Sequence, residues 1–113
     1  MTNYTIYRYP VKLNSNMLRG KETALVPMPA GAKVLSVGLC EWRPREISIW
    51  CLVEVDPIAS CTKNMEIMVL GTGHATISDD LLGKLRVMGT VVCNSNEEVY
   101  HVFEVTKQPR YVG

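Results

Sequence analysis

Short runs of alternating polar and apolar residues, separated by Gly, Pro and Asn, dominate the chain. Such runs are typical of β-strands, in which successive side chains point to opposite faces. The clearest is Glu46 to Val55, where Ile47 and the alternate residues after it are apolar while Trp50 and Leu52 occupy the other face. Because this run is apolar on both faces, it is predicted to be a central strand, with Trp50 in the core.

Further strands are predicted on either side of this run. They are Tyr4–Tyr9, Thr23–Val26, Lys33–Cys40, Met65–Leu70, Leu85–Cys93 and Val99–Val105. Lys33–Cys40 should form a hairpin with the central strand. Pro10 is expected to end the first strand, because proline has no amide hydrogen for the ladder. Pro27 and Pro29 are expected to flank a turn through Ala30 and Gly31.

Two segments between these runs lack the alternating pattern. The polar stretch from Val11 to Lys21 is interpreted as a connection with an edge segment at most. Residues 79–83, preceded by Ser78, have the features of one helical turn: a serine N-cap, two aspartates at the positive end of the helix dipole and a final glycine. The whole chain, residues 1–113, is therefore predicted to be one all-β domain, a small antiparallel β-sandwich or barrel.

Composition narrows the class of protein. With 12 Lys and Arg against 11 Asp and Glu, the net charge is +1, so a nucleic-acid polymer is not expected as a partner, because counterion release would contribute little. No apolar stretch approaches the roughly 18 residues that span a membrane. The first ten residues, MTNYTIYRYP, lack the apolar core of a signal peptide. We therefore expect a cytoplasmic protein without membrane contact.

The cysteines are Cys40, Cys51, Cys61 and Cys93. Their spacing contains no C-x-x-C pair of the kind found in zinc sites, and a reducing compartment keeps such residues as thiols. No metal site and no cofactor are predicted.

No catalytic signature is present, so no catalytic residue is assigned. Gly71-Thr72-Gly73-His74 lacks the context of a phosphate loop and is interpreted as a turn that ends a strand. His101 shares a strand face with Val99 and Phe103 and is predicted to be packed and hydrogen-bonded. The enzyme alternative is a nuclease or cyclic-nucleotide hydrolase, which requires His74, His101, Asp79 and Asp80 to converge in space.

Basic residues and one tryptophan offer a binding site instead. Arg43 and Arg45 lie beside Trp42 in the turn before the central strand, and both ends of the chain are locally basic. Guanidinium groups pair with phosphate, and an indole ring stacks on a base. The predicted ligand-binding residues are Trp42, Arg43, Arg45, His74 and Arg110. The alternative is that these are ordinary solvated charges, which are common in turns and at termini.

Several segments, taken in order, carry a resemblance to a known group of proteins. They are Ile6–Pro10, the run PAGAKVLSV over residues 29–37, Trp50–Val53, Asp56-Pro57, GTGH over residues 71–74, and HVFE over residues 101–104. In this order they resemble a widespread group of short all-β proteins of tailed phages and prophages whose function is unassigned. The resemblance covers nearly the whole chain.

The resemblance implies a phage accessory protein acting in the host bacterial cytoplasm. The leading hypothesis is a non-enzymatic protein that sequesters a small phosphorylated signalling ligand of antiphage immunity, such as a cyclic oligonucleotide or an ADP-ribose derivative. The alternative is an interaction module that inhibits a host protein or joins phage assembly. A homo-oligomer is expected, since pairing of strand edges between copies protects the edges of a small sheet.

Overall fold

Seven β-strands in two antiparallel sheets, with two short helices, make up the part of the chain that the structure describes. The structure is a computed structural model, and it describes residues 3–39, 45–55, 62–73, 76–93 and 98–106. The strands are β1 (Tyr4–Lys12), β2 (Ala24–Pro29), β3 (Lys33–Leu39), β4 (Glu46–Glu54), β5 (Thr62–Gly71), β6 (Leu85–Cys93) and β7 (Glu98–Val105); the helices are α1 (Ser15–Leu18) and α2 (Asp79–Leu82).

The first sheet has three strands in the order β1-β4-β3. The predicted hairpin of β3 and β4 is confirmed, with Val37 opposite Ile49, and β4 is central as predicted. Its inner face carries Ile47, Ile49, Cys51 and Val53, all essentially inaccessible to solvent. The second sheet has four strands in the order β2-β5-β7-β6.

The two sheets enclose one apolar core. Ile67 and Val69 of β5 and Tyr100 and Val102 of β7 face the inner side of β4. Full burial of each such side chain contributes about 1.5–3 kcal/mol. The fold is therefore a small all-β sandwich, one of the two architectures that the alternation predicts.

Pro10 does not end the first strand, contrary to expectation. It lies within β1, opposite Ser48. The carbonyl of Asn3 accepts from the Val55 amide at 2.8 Å, and the amide of Leu13 donates to the Arg45 carbonyl at 2.7 Å. Peptide groups alternate in direction along a strand, so odd-numbered residues of β1 face β4 and even-numbered ones face away. The nitrogen of Pro10 thus points out of the sheet, where no donor is needed.

The second strand is also longer than expected, because prolines are tolerated on an edge strand. Pro27 and Pro29 belong to β2, which is an edge strand, and both oppose residues of β5. The turn that follows is confirmed: the Ala32 amide donates to the Pro29 carbonyl at 3.1 Å, and Gly31 has a φ of 86°. A positive φ at this position favours glycine.

The stretch after β1 contains a helical turn that the sequence analysis did not predict. In α1 the side chain of Asn14 accepts from the Met17 amide at 2.9 Å, and Met17 and Leu18 are buried. The helical turn at 79–83 is confirmed as α2, capped by the Ser78 hydroxyl, which accepts from the Leu81 amide at 3.2 Å.

Trp50 is not a core residue, contrary to expectation. It lies half-buried on the outer face of β4, where its ring covers Gly38 of β3; a Cβ at Gly38 would lie 2.8 Å from Trp50 Cζ3. Arg8 is directly opposite Trp50 on β1 and donates to the Ser48 hydroxyl at 2.9 Å. Successive side chains of a strand point to opposite faces, so Trp50, between the core residues Ile49 and Cys51, lies on the face of β4 turned away from the second sheet.

Candidate functional site

Of the five residues predicted to bind ligand, Arg45 is the one that lies within the described part of the chain. Trp42, Arg43, His74 and Arg110 lie outside it. Arg45 is exposed immediately before β4 and has a φ of 61°, in the left-handed region. Its carbonyl is held by the Leu13 amide, which fixes the backbone and leaves the guanidinium in solvent.

A separate cluster of basic residues lies at the other end of the sandwich. There the two sheets diverge around a cleft of about 740 Å³. The basic side chains in its lining are Lys33 of β3, Lys63 of β5 and Arg86 of β6, while Val34, Met65 and Met88 supply apolar surface. The volume is within the usual range of roughly 300–1,000 Å³ for small-molecule sites.

The cleft and Arg45 are at opposite ends of the first sheet. Lys33 is opposite Leu52, near the end of β4, whereas Arg45 precedes its first residue. Seven residues of strand separate positions 45 and 52, which corresponds to about 23 Å at 3.3 Å per residue. Arg45 and the cleft therefore cannot form a single small-ligand site.

The charged residues of the cleft extend the inner faces of the strands. On β5, Lys63 follows the alternation of Val69, Ile67 and Met65, and on β7, Glu104 follows Tyr100 and Val102. These two charges lie where the sheets separate, so both can reach solvent. Burying an unpaired charge is costly, and the open end is the position where the inner face tolerates one.

One ion pair crosses the cleft wall. Arg86 Nη2 lies 2.7 Å from Glu104 Oε1, with the guanidinium side chain 44% exposed and the carboxylate side chain 16% exposed. Within the described residues, Lys33 and Lys63 have no carboxylate partner of this kind. Three basic groups and one carboxylate leave a net of two positive charges in the lining. This arrangement suits a ligand with two negative charges.

The cleft continues into a second depression of about 640 Å³, with Lys63, Glu104 and Thr106 in the lining of both. Thr106 is fixed in this shared lining by two hydrogen bonds. Its amide and its hydroxyl donate to the Lys84 carbonyl at 2.7 and 2.9 Å. These bonds hold the end of β7 against the residue that precedes β6, while residues 62–67 of β5 pair with β2.

The charge of Lys63 also influences the pKa of a buried cysteine, Cys51 of β4. Burial raises the pKa of the Cys51 thiol above its ordinary value of 9.0, and the charge of Lys63 opposes that rise. Burial likewise raises the pKa of Tyr9, with Cys51 and Tyr7 adding to the effect. The thiol therefore stays protonated at neutral pH and is an unreactive part of the core.

His101 is held by hydroxyl groups, as the packed and hydrogen-bonded role predicts. Its Nε2 lies 2.7 Å from Thr72 Oγ1, and its Nδ1 lies 3.2 Å from Thr90 Oγ1. Both ring nitrogens of His101 therefore contact threonine hydroxyls. Neither nitrogen is bonded to Asp79 or Asp80 in these contacts. GTGH begins as a strand-ending turn, as predicted: β5 ends at Gly71, and Gly73 has a φ of 75°. His74 lies outside the described residues.

Within the described ranges, no three His, Cys, Asp or Glu side chains are grouped so as to hold a metal ion. In the same ranges, no helix is long and apolar enough to span a membrane.

The cleft residues were missed in the sequence, although a signal was present. The strand predicted from the sequence begins at Met65, so the alternation does not mark Lys63 as a strand residue. Arg86 and Glu104 fall within the predicted strands Leu85–Cys93 and Val99–Val105, but the pattern of neither strand indicates that the two side chains meet. The available signal is a charged residue that continues an otherwise apolar face, as Glu104 does after Tyr100 and Val102. Such a residue marks the position at which a core opens to solvent.

The fold and cleft thus define a small two-sheet β-protein with a basic opening between its sheets. The chain belongs to a family described as a domain of unknown function, DUF7352, whose model matches residues 2–112. Neither a curated protein nor a solved structure matches the chain.

Proposed function

We propose that the protein binds a small phosphorylated ligand in the cleft between β3, β5 and β6. The observation that carries the proposal is the presence of Lys33, Lys63 and Arg86 around one opening of ligand size. Lysine ammonium groups and an arginine guanidinium are the groups with which proteins hold phosphate oxygens. Val34 and Met65 offer an apolar surface for a sugar or base.

The proposed role is sequestration without turnover. The ligand would be a nucleotide-type signalling molecule of antiphage immunity, such as a cyclic oligonucleotide or an ADP-ribose derivative. Its phosphate groups carry the negative charge that the cleft would neutralise. The resemblance to short phage proteins is consistent with this role, in which a protein acts in the host cytoplasm by lowering the free concentration of a signal. Ligand recovered intact after denaturation of the complex is the result that this role requires.

A thermal-shift screen tests binding first. The purified full chain is heated with cyclic di- and trinucleotides, cyclic ADP-ribose isomers, ordinary nucleotides and inorganic phosphate. A ligand at 100 times its dissociation constant stabilises the fold by about 2.7 kcal/mol, which corresponds to several degrees for a domain of this size. A rise in melting temperature with one class of nucleotide supports the proposal. No change in melting temperature with any compound overturns it.

Paired variants then locate the site by calorimetry with the nucleotide that gives the largest shift. Lys33→Ala with Lys63→Ala should weaken binding at least tenfold. The matched control, Lys12→Ala with Lys21→Ala, removes two exposed lysines outside the cleft lining and should leave binding unchanged. Arg43→Ala with Arg45→Ala tests the site predicted from the sequence. If only the Arg43→Ala, Arg45→Ala variant loses binding, the ligand binds at the turn before β4 and not in the cleft.

A second function is favoured by one observation, the apolar outer face of the four-stranded sheet. Leu25, Val87 and Val92 are exposed there at 63%, 73% and 57%. Exposed apolar side chains in this number suit a protein–protein contact, as expected of an interaction module that inhibits a host protein or joins an assembly. A single host protein captured in stoichiometric amount, and released by Val92→Lys on a residue outside the cleft lining, would support this function over sequestration.

A further inference from the structure

The edge of β1 carries a run of outward-facing peptide groups. The odd-numbered residues of β1 turn their N–H and C=O groups to β4, as the bonds at Asn3 and Leu13 show. The register with β4 continues without a shift from Tyr4 to Lys12. The peptide groups of Tyr4, Ile6 and Arg8 therefore point away from the sheet, and in the described part of the chain β1 pairs with β4 alone. An exposed edge of this kind is a template for another strand.

The other sheet edges are less available. Pro27 and Pro29 remove two amide donors from β2. β3 and β6 pack against each other across the sandwich, since a Cβ at Gly89 of β6 would lie 2.7 Å from Val37 Cγ2 of β3, so a strand added at either edge would lie beside the opposite sheet. The first part of β1 is thus the edge best suited to accept a strand.

We propose that two copies of the chain pair antiparallel along β1, with Ile6 of one copy opposite Ile6 of the other. The backbone of Pro10 also faces outward, but proline has no N–H group to donate. The best register therefore pairs the outward N–H groups of Tyr4, Ile6 and Arg8 with one another and leaves Pro10 outside the paired segment. Placing Ile6 on the twofold axis meets this condition, because Tyr4 of each copy then lies opposite Arg8 of the other. Each of these residue pairs can exchange two hydrogen bonds.

The side chains of this register are mutually compatible. Tyr4 and Ile6 are 59% and 57% exposed on the outer face, an unusual state for large apolar groups on a strand. Pairing covers Ile6 with its counterpart and sets the aliphatic stem of Arg8, whose guanidinium donates to the Ser48 hydroxyl, beside the Tyr4 ring of the other copy. No like charges are opposed in the paired segment. This self-complementarity identifies the occupant of the edge as a second copy and not an unrelated strand.

The oligomeric state of the full chain tests the proposal. Light scattering coupled to size exclusion should give twice the chain mass of 12.6 kDa. Ile6→Lys places two ammonium groups at the axis and should give a monomer with an unchanged circular dichroism spectrum. Leu25→Lys is the matched control: it puts the same charge on an exposed position of another edge strand, and it should remain a dimer. A wild-type monomer at all concentrations, or an Ile6→Lys dimer, overturns the proposal.

Cysteine cross-linking tests the register. Opposed residues in a hydrogen-bonded antiparallel pair have Cα atoms about 5.5 Å apart, which is within the range of a disulfide. Ile6→Cys should therefore form a covalent dimer on mild oxidation. Arg8→Cys should not, because in this register the two Arg8 positions are four residues apart along the strands. The wild-type chain, oxidised in parallel, accounts for the native cysteines. Cross-linking of Arg8→Cys without Ile6→Cys would overturn the register.

Discussion

The space between the two sheets has a closed apolar half and an open charged half, and the same strands line both. In the closed half Val69 of β5 is opposite Val102 of β7, and neither is accessible to solvent. One step further along the same face, Ile67 is opposite Glu104, which takes part in the ion pair with Arg86. The change from core to cleft therefore occurs within two residues of strand.

This comparison shows that the inner face of a strand does not define a single environment. The closed half excludes water and gains free energy from apolar burial. In the open half, Lys63 and Glu104 occupy positions of the same parity as core residues, and they are tolerated because solvent reaches them. We expect substitutions in the closed half to change stability and substitutions in the open half to change ligand binding.

The largest expected effect is a loss of stability from Ile67→Ala. Ile67 is completely buried between the sheets, so removing its outer carbons leaves a cavity and should cost about 2–5 kcal/mol. Urea denaturation followed by circular dichroism measures the change. Leu25→Ala, on an exposed side chain of the neighbouring strand, should cost far less. Equal losses in the two variants would contradict the division between core and surface.

Gly89→Ala should be the next most damaging substitution, at about 1–3 kcal/mol, because overpacking forces neighbouring groups to move and because Gly89 has a φ of 157°, which residues with a side chain rarely adopt. The new methyl group would lie 2.7 Å from Val37 Cγ2, where β6 meets β3. Val37→Ala removes the clashing methyl group, so the double variant should be less destabilised than the sum of the single variants. Simple additivity in thermal denaturation would show that the cost arises from the backbone conformation of Gly89 and not from the contact with Val37.

Stability should fall as the pH rises above about 9, and Cys51 should account for part of the fall. Its pKa is raised in the folded state from 9.0, so the unfolded chain releases this proton first. The stabilisation is complete below 9.0 and is lost as the pH rises toward the folded pKa. Tyr9 acts in the same direction from 10.0 upward. Melting temperatures between pH 8 and 11 should decline less steeply for Cys51→Ala; parallel curves would exclude the thiol as a cause.

The smallest effect on stability is expected for Glu104→Gln, in the open half. Its partner Arg86 is well exposed, and an ion pair with one solvated member contributes up to about 1 kcal/mol. The same change removes the negative charge from the cleft lining, so a nucleotide that shifts the melting temperature should bind more tightly. Calorimetry at low and high salt measures this; unchanged binding would place the nucleotide outside the cleft.

Prediction from the sequence was best where a local signal decides the structure. The alternation around Ile49 and Trp50 correctly predicted a central strand, and Ser78 correctly marked the start of a helical turn. It was least accurate at Pro10, since a proline ends a central strand but is tolerated on the outer side of an edge strand. Whether a strand is at an edge depends on its neighbours, which its own residues do not specify.

The candidate site was less predictable than the strands. The residues selected for charge and aromatic character lie mainly outside the described ranges, and Arg45 lies at the end of the sheet away from the cleft. Lys33, Lys63 and Arg86 come from three separate strands of two sheets. Their proximity depends on how the sheets pack, and no spacing within the sequence reports it.

The sequence by itself determined the all-β class, the central strand, the hairpin of β3 and β4 and the helical turn at α2, because alternation and capping act over a few neighbouring residues. The tertiary structure alone decided which strands became edges, on which side of β4 Trp50 lies and where the core opens into a basic cleft. Those features depend on contacts between distant segments, whose free energies of packing and solvation exist only once the two sheets are together.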